Sequence, residues 1–513
     1  MVTEDKATPK DMAKKPLPDD PYSSPFAFVY VFNLIVGAGA LAMPLAFHDA
    51  GLVLGTVIVV LLCIASYVTA TFVVESMAAA NAWSLGKESS TKKIKAVQQN
   101  PFNEEEVSDN FSESFPLILD QDIPEKGFEI VKKFEMAQMA DMFFNTLGVI
   151  LYYLCICIYL YGDLAIYAVA VPKSMRTVVC PDYKGRRYIC NESNDTLLDY
   201  GNSSGCEGNW TWVGRDICMG SLSYIETYYV FLAVFTLLLC PWTFFNVQKT
   251  KILQIVTTIT RNLAFIMMIV LALIEIIQGN RVGPKAFDFK ELPNLFGICI
   301  YAFMCQHSLP GMITPMKSKK YVYPMLAADY GLILLFYLVM CYTAVYRFGG
   351  KLEDIYTLNF IHDTDVWSPL SYYLALFPVF TLSTNFPIIS VTLRENLKVL
   401  GRKLVKGKEY PFVVDRIVFP LLAVIPPIAI AYGTTNVEIL VSLTGSFPGV
   451  GVQYVIPVAL AYFARRKFYK QFHSYKNKHK SPISFVFVFV AILVWAAASI
   501  IMIIVDDILK ILQ

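Results

Sequence analysis

The stretch Asn33-Leu-Ile-Val-Gly37-Ala-Gly39-Ala-Leu-Ala-Met43-Pro44 decides the fold, because it interrupts the first long apolar segment, residues 25–47. Glycine and proline both weaken the helical hydrogen-bond ladder. In hydrocarbon every freed backbone group needs a partner, so an interrupted helix survives only where it is buried in protein or lines a cavity. The stretch therefore predicts a broken first membrane helix beside a site near the bilayer midplane. The alternative, a glycine-rich packing face, leaves Asn33 and Pro44 unexplained.

The composition is that of a multi-span membrane protein. The 513 residues are 56% hydrophobic and only 16% charged, with a mean hydropathy of +0.50, which is too apolar for a soluble protein of this size. The first 21 residues are polar and include four lysines, so the first span rather than a cleavable peptide is expected to act as the signal. The sequence contains no nucleic-acid, haem, P-loop, HExxH or GxSxG motif. We therefore expect no nucleic-acid binding, no cofactor, no metal centre and no enzymatic catalysis.

Hydropathy predicts an all-α integral membrane protein with eleven transmembrane helices. A polar tail, residues 1–24, precedes the eleven-span domain, residues 25–513. The third span begins as an amphipathic segment, and polar residues and prolines interrupt the eighth and tenth. The spans are predicted at 25–47, 52–78, 140–172, 223–246, 253–278, 293–315, 324–347, 368–393, 412–432, 437–463 and 483–508.

Charge in the loops predicts the side of the membrane that each loop occupies. Lysine and arginine are concentrated in the short loops after spans 4, 6, 8 and 10, including the 465–480 loop, and are sparse in the opposite loops. Because cytosolic loops carry the basic excess, the N-terminal tail and the 80–136 loop are predicted to be cytosolic. The 80–136 loop is polar enough to be mostly disordered. Its segment Glu113-Ser-Phe-Pro-Leu117-Ile118 fits an acidic dileucine sorting signal, which leaves an endolysosomal membrane and the plasma membrane both open.

The loop at 173–222 carries the marks of a lumenal or extracellular segment. Glycosylation sequons clustered with an even number of cysteines predict a glycosylated loop with two disulfides, and three pairings remain open. Zinc binding is the alternative, but the CxxC spacing of zinc sites is missing from the sequence. The sequons are at Asn191, Asn194, Asn202 and Asn209, and the cysteines are Cys180, Cys190, Cys206 and Cys218.

A second interruption follows in span 6, where the sequence reads Phe303-Met-Cys305-Gln306-His307-Ser308-Leu-Pro310-Gly311. Breaks in spans 1 and 6 are typical of an inverted five-plus-five repeat whose broken helices meet at the centre. Free N–H groups of the half-helix after Gly37-Ala38-Gly39 suit a carboxylate, and exposed carbonyls suit an ammonium group or a cation. A zwitterion such as an amino acid satisfies both. The predicted substrate-binding residues are Gly37, Ala38, Gly39, Cys305, Gln306, His307 and Ser308.

Several motifs carry a resemblance to a known family. The N-x-x-x-G-x-G-x-L-x-x-P string is similar to the first span of the amino acid/polyamine/auxin permease group, which includes the sodium-coupled neutral amino acid transporters. Over most of its length the chain resembles the transmembrane protein 104 family, a branch of that group. This resemblance implies an eleven-span LeuT-like fold and amino acid transport. It does not identify which substrate is transported. The motifs are Tyr159-Leu-Tyr-Gly162-Asp163, Phe244-Phe-Asn-Val-Gln-Lys-Thr-Lys251, Met304-Cys-Gln-His-Ser-Leu-Pro310 and Ser383-Thr-Asn-Phe-Pro-Ile-Ile389.

The same resemblance implies a sodium site. Asn33 stands four residues before Gly37, as does the sodium-binding asparagine of the neutral amino acid transporters, and Ser383 and Thr384 fall where their span-8 ligands lie. Carbonyl, amide and hydroxyl oxygens are suitable ligands for a hard cation. Asn385-Phe386 departs from the transporters' dipeptide, and hydrogen bonding between helices is the alternative role for these hydroxyls.

Charged residues within spans are functional candidates, because an unpaired charge there costs several kcal/mol. Asp163 is predicted to be a proton-coupling carboxylate or the partner of an ion pair. Arg261 is expected to form a structural or gating salt bridge, for which Glu75 is a candidate partner. His307 is a candidate proton relay. Asp329 and Glu275 lie near the ends of spans and are expected to be solvated.

Two functional hypotheses follow. The first is a secondary transporter that carries a small amino acid or related zwitterion by alternating access, coupled to sodium or protons, with the lipid bilayer and a small-molecule substrate as its partners. The second is a transporter-like nutrient sensor or scaffold with little flux. A bulky residue at Gly37 or Gly39 abolishes uptake under the first hypothesis.

Overall fold

The computed structural model describes residues 22–99, 125–180, 188–190, 210–212, 217–219, 222–244, 251–361, 367–405, 410–473 and 475–512. Most of these residues are helical. The helices are α1 (Ser24–Ile35), α2 (Gly39–Ala50), α3 (Leu52–Gln99), α4 (Met136–Phe143), α5 (Thr146–Val179), α6 (Tyr224–Leu239), α7 (Lys251–Ile277), α8 (Leu292–Ala302), α9 (Leu309–Ile313), α10 (Val322–Phe348), α11 (Ser368–Leu404), α12 (Phe419–Gly433), α13 (Val437–Thr444), α14 (Ile456–Phe472) and α15 (Val486–Leu512).

The architecture is that of a multi-pass membrane protein, as predicted. Among the described residues, nine helical segments are long and apolar enough to cross a membrane. α1 and α2 form a further broken span, bent by 57° at the interruption. α8 and α9 have only 11 and 5 residues and are separated by residues 303–308. The predicted breaks are therefore present in both segments, whereas the count of eleven spans and the inverted repeat stay predictions.

The prediction of disorder over 80–136 is wrong at both described ends of that loop. α3 continues as a helix to Gln99, and residues 127–135, here called the docked segment, pack against the bundle. The Asn81 side chain accepts hydrogen bonds from the backbone N–H groups of Val131 and Lys132, at 3.1 and 2.8 Å. Phe128, Ile130 and Phe134 are buried. Their alternation with charged residues marks a docked extended segment, a pattern that average composition conceals. The dileucine pattern lies outside the described residues.

The third span and the loop after it also differ in detail from the prediction. The amphipathic start forms the separate helix α4, and the Asn145 side chain caps α5 by accepting the Gly148 N–H at 2.9 Å. α5 continues to Val179, and Cys180 forms a disulfide with Cys218. Two short antiparallel pairs follow, β1 (Tyr188–Cys190) with β2 (Trp210–Trp212) and β3 (Ile217–Met219) with β4 (Leu222–Ser223). Cys206 and the four sequon asparagines lie outside the described residues, so the second disulfide and glycosylation stay predictions.

Glycines bring span 10 into close contact with spans 3 and 6. Span 10 begins with α13 and continues into α14 through two wide, π-helical turns, Gly445–Gly449 and Gly451–Val455. A Cβ atom on Gly445 would overlap the backbone of Gly297 in α8, whose carbonyl carbon lies at 2.8 Å. A Cβ atom on Gly162 of α5 would lie 2.6 Å from Cγ2 of Thr444. The small residues of span 10 thus form a packing surface, where backbones approach closely.

Gly445→Ala is expected to destabilise the protein by about 1–3 kcal/mol, because the overlap with the Gly297 backbone is relieved only if two helices separate. Gly331→Ala is the matched control, since a Cβ atom on that α10 glycine would meet no atom within 4 Å. This control is expected to be neutral or to stabilise by up to about 1 kcal/mol, because alanine loses less backbone entropy. The midpoint of thermal unfolding in detergent measures both effects. Equal midpoints for the two variants would contradict the prediction.

Candidate functional site

The interruption of span 1 leaves a row of backbone donors free. Residues 36–38 leave the helical path between α1 and α2. Among the described residues, no hydrogen bond takes up the N–H groups of Gly37, Ala38 and Gly39. These groups form the N-terminus of α2, which carries a partial positive charge. The site is therefore suited to an anionic group.

The two glycines of this break have different surroundings. A Cβ atom on Gly37 would meet only the carbonyl oxygen of Ile35, at 3.9 Å, so Gly37 borders open space. A Cβ atom on Gly39 would lie 2.7 Å from the Cα of Ala302, the last residue of α8. Gly39 therefore packs the span-1 break against the span-6 break, and Gly37 leaves room beside it. The tyrosine hydroxyl of Tyr337 lies within hydrogen-bonding distance of the carbonyls of Ile35 (3.3 Å) and Ala302 (3.0 Å), which end α1 and α8.

Arg261 of α7 reaches into the span-1 break. Its Nη2 donates to the backbone carbonyl of Asn33 at 2.5 Å and lies 3.5 Å from the Asn33 side-chain oxygen. Asn262 donates to the same side-chain oxygen at 2.6 Å. The Nε of Arg261 is buried without an acceptor, and no described carboxylate pairs with this guanidinium. Both oxygens of Asn33 thus face nitrogen donors of α7.

The predicted pairing of Arg261 with Glu75 is wrong. Both Glu75 oxygens instead accept from Arg465 of α14, at 2.7 Å each. Hydropathy indicates how deep a residue lies, but it does not indicate which helices are neighbours, and α3 packs against α14 rather than beside Arg261. A signal for the role of Arg261 was nevertheless present, since Arg261-Asn262 is an adjacent polar pair within an apolar span.

Asp163 lies beside the span-6 break, in an aromatic cluster. It is 5% exposed, and the Tyr301 hydroxyl of α8 donates to its Oδ1. The Tyr159 ring packs against His307 with ring centroids 5.3 Å apart, and against Tyr301 at 6.3 Å. The Nδ1 of His307 is buried without a partner among the described residues. Asp163 and His307, which the sequence analysis proposed separately, therefore lie in one cluster around the span-6 break.

The other predicted residues are arranged differently. Cys305 and Gln306 face α10 and α3 rather than the Asp163 cluster, because their contacts are with Tyr330, Ser66 and Thr69. Thr384 donates to the Thr381 carbonyl of its own helix at 2.9 Å. In the part of the chain that the structure describes, no hydrogen bond joins Ser383 or Thr384 to Asn33, and none is formed by the Ser308 side chain. The described residues also contain no group of three His, Cys, Asp or Glu side chains that could hold a metal ion.

The two broken spans are joined by hydrogen bonds at the face that the charge pattern predicts to be cytosolic. Tyr22, just before α1, pairs with residues just after α9: its N–H donates to the Pro315 carbonyl at 3.3 Å and its carbonyl accepts from Lys317 at 3.0 Å. Its hydroxyl donates to the Met312 carbonyl. Burial raises the pKa of Tyr22 to about 12, so this hydroxyl stays a donor at physiological pH. The two broken spans are thus fastened together at this end.

Comparisons with known proteins agree with this architecture. Residues 22–91 and 131–504 match the family described as transmembrane amino acid transporter protein. The chain is 45% identical over 488 residues to transmembrane protein 104 of Homo sapiens, a match that covers 93% of this chain and 94% of the relative. A homolog of that protein in Drosophila melanogaster is 39% identical over 496 residues, covering 91% and 94% of the two chains. A homolog in Dictyostelium discoideum is 32% identical over 526 residues, covering 94% and 96%.

These matches span nearly the whole chain and every element of the site. The family match passes over residues 92–130, a range that includes the last residues of α3 and the first four residues of the docked segment. The resemblance inferred from the short motifs is thus confirmed at full length. The chain belongs to the transmembrane amino acid transporter family, with relatives named transmembrane protein 104.

Proposed function

We propose that this protein is a secondary active transporter that carries an amino acid, or a related small zwitterion, between the two broken spans by alternating access. The observation that carries the proposal is the proximity of the N–H groups of Gly37, Ala38 and Gly39 to Arg261. In the described part of the chain these N–H groups donate to no acceptor, and the guanidinium, which donates to the Asn33 carbonyl, has no carboxylate beside it. A buried cation without a carboxylate partner is costly inside a membrane. A substrate carboxylate would offset that cost by accepting hydrogen bonds from the helix N-terminus and lying close to the cation.

The cluster around Asp163 suits the ammonium group. Asp163 and the aromatic rings of Tyr159 and Tyr301 form it, and both a carboxylate and an aromatic face attract a cation. The carbonyl ends of α1 and α8 are close by, although Tyr337 already lies within hydrogen-bonding distance of two of them. Opposite charges within one site would select a zwitterion over a simple anion or cation.

For the coupling ion, we propose protons rather than sodium. The sodium site inferred from resemblance needs the oxygens of Asn33, and Arg261 and Asn262 already donate to both of them. The guanidinium supplies the positive charge that a bound sodium ion would supply, so the Asn33 oxygens need no cation from solution. Asp163 is then the carboxylate that changes its protonation during the cycle in the central site.

Alternating access is proposed to proceed through opening of the contact between Tyr22 and the residues after α9. In the proposed topology, eleven spans form two inverted repeats of five plus one further helix. The N-terminus is cytosolic, and the loop after α5 is lumenal or extracellular and glycosylated. The basic loops and the Cys180–Cys218 disulfide support this orientation.

Ligand-induced thermal stabilisation tests the proposal. Purified protein is heated with each of the twenty amino acids, in sodium or choline, at pH 5.5 and 7.5. A ligand at one hundred times its Kd stabilises the native state by about 2.7 kcal/mol. Gly37→Trp is expected to remove this response because the indole fills the open space beside the break. Gly331→Trp, at a glycine with nothing within 4 Å of its Cβ position, is the control that should keep the response.

Each outcome separates the hypotheses. Stabilisation by one class of amino acid that is lost in Gly37→Trp and kept in Gly331→Trp supports the site. Uptake of the same amino acid into proteoliposomes then distinguishes a transporter from a sensor that binds without flux. Absence of any response in the folded wild type would contradict an amino acid site.

A further inference from the structure

A second buried polar cluster lies behind the span-6 break, apart from the Asp163 cluster. It joins α3, the break, α10 and the wide turns of span 10, and each of its eight side chains is at most 2% exposed. Buried polar side chains that lie this close together are expected to be fully hydrogen-bonded, unless they bind an ion or a ligand. The members are Ser66, Thr69, Cys305, Gln306, Asp329, Tyr330, Gln453 and Tyr454.

Two glutamines connect the cluster through Ser66. Gln306 donates to the Ser66 carbonyl at 3.2 Å and to the Thr69 hydroxyl at 3.1 Å, and its own oxygen accepts from the Cys305 N–H at 2.9 Å. Gln453 donates to the Ser66 hydroxyl. Gln453 lies in one of the wide helical turns, which occur frequently at functional sites. The cluster therefore ties the span-6 break to spans 2 and 10.

Asp329 is the member that the hydrogen bonds do not explain. It is fully buried, and neither carboxylate oxygen has a hydrogen-bond partner among the described residues. The Gln453 side-chain oxygen and the Tyr454 hydroxyl are likewise without a hydrogen-bond partner among the described residues. An ionised carboxylate without a donor or a cation is costly at this depth. The expectation that Asp329 is solvated is therefore wrong, because the face of α10 that carries it packs inward with Met325, Leu326 and Ile333.

Among the described residues, the groups around Asp329 do not supply a compensating positive charge. The Tyr330 hydroxyl and the Cys305 thiol form a hydrogen bond of 3.2 Å, and the Cys63 thiol donates to the Tyr330 backbone carbonyl at 3.4 Å. Arg261 of α7 faces α10 at Tyr337, about two turns further along the helix. The helices α1 and α2 contain no lysine or arginine that could pair with Asp329. The titratable groups facing this part of α10 are Cys63 and Tyr67 of α3, Cys305 of the break, Tyr330 of α10 itself and Tyr454 of span 10.

The neutral acid fits this position and the ion does not. Protonation of one oxygen removes the charge and creates one O–H donor in a cluster that has spare acceptors. Asp329 lies about 10 Å along the helix axis from Val322, the first residue of α10. The neighbouring Tyr330 hydroxyl lies 3.4 Å from the Phe303 carbonyl of the span-6 break. Movement of that break would therefore change the surroundings of the carboxyl group.

We propose that Asp329 is a proton-binding site, occupied in this conformation and emptied when the span-6 break rearranges and admits water. Binding joins one proton from solution to one carboxylate oxygen, and release returns it with no other bond changed. The link to transport rests on the proposed function, but the presence of the proton does not.

Infrared spectroscopy of the purified full-length protein in lipid nanodiscs tests the site without any substrate. At pH 7.5 the difference spectrum between wild type and Asp329→Asn is expected to contain the carbonyl band of a protonated carboxylic acid. Asp354→Asn is the control, because Asp354 accepts from Lys173 at 2.6 Å and should contribute a carboxylate band instead. Asp329→Glu retains an acid and should shift the band rather than remove it, and this variant decides the question if the asparagine variant does not fold.

Loss of a carboxylate band in Asp329→Asn, with no acid band lost, would overturn the proposal. So would stabilisation of wild type by sodium relative to choline that disappears in Asp329→Asn, because the carboxylate would then be holding a metal cation. Failure of amino acids to stabilise the protein, with the acid band present, would leave the proton site standing and count against the proposed function alone.

Discussion

Glu75→Gln is expected to lower the free energy of unfolding by about 3–5 kcal/mol, because it leaves a buried guanidinium without its counter-charge. Glu75 is fully buried, and its carboxylate accepts four hydrogen bonds. Arg465 donates from Nε and Nη2 at 2.7 Å, Tyr475 from its hydroxyl at 3.0 Å, and Ser481 from its N–H at 2.9 Å. A glutamine side chain would place an NH₂ group against one of these donors. The expected result is loss of most monodisperse protein on size-exclusion chromatography and a lower midpoint of thermal unfolding.

Lys403→Gln is the matched control for this prediction. Lys403 pairs with Asp141 at 2.6 Å, but the two side chains are 39% and 37% exposed. Exposed ion pairs contribute about 1 kcal/mol or less. Lys403→Gln should therefore behave as wild type in the same assay. If the two variants lose similar amounts of monodisperse protein, the hydrogen bonds of Glu75 do not stabilise the packing of α3 against the chain after α14.

The break in span 1 could be predicted from the sequence because its cause is local. Glycines, Asn33 and Pro44 in an apolar segment are incompatible with a lipid-facing helix whatever the rest of the chain does. Span 6 was found in the same way. The family was inferred from the motifs in these two breaks together with short motifs in span 3, after span 4 and in span 8, and the matches over most of the chain confirm it.

The partners of the charged residues could not be predicted, because they depend on which helices touch. Glu75 and Arg465 are 390 positions apart, and the charge pattern places Arg465 in a basic loop although α14 continues to Phe472. Asp329 was misjudged for a related reason, since its distance from the end of the span indicates depth but not which face packs inward. Each of these residues needed the helix packing before its chemistry could be assigned.

Arg261→Met is expected to weaken binding of the amino acid found by thermal stabilisation by about 30-fold or more. Removing one partner of a buried, hydrogen-bonded charge pair costs about 2–5 kcal/mol, and 1.4 kcal/mol corresponds to tenfold in Kd. Methionine retains an apolar stem of similar length but removes the positive charge beside Gly37–Gly39. Arg261→Lys keeps the charge without the planar fork and should lie between the two. Arg416→Met, at a side chain that is 63% exposed, is the control expected to bind as wild type.

The same variant separates the two assignments of the coupling ion. In wild type the Asn33 oxygens face Arg261 and Asn262, so replacing sodium with choline should leave the thermal midpoint and the amino acid response unchanged. In Arg261→Met the Asn33 carbonyl loses its donor, and a sodium-dependent rise of the midpoint is expected as a hard cation takes that place. Sodium-dependent binding in wild type would contradict this account, because Arg261 would then have to leave Asn33 for sodium to bind there. Amino acid binding that is insensitive to sodium and lost in Arg261→Met would identify the guanidinium as the resident cation of the site.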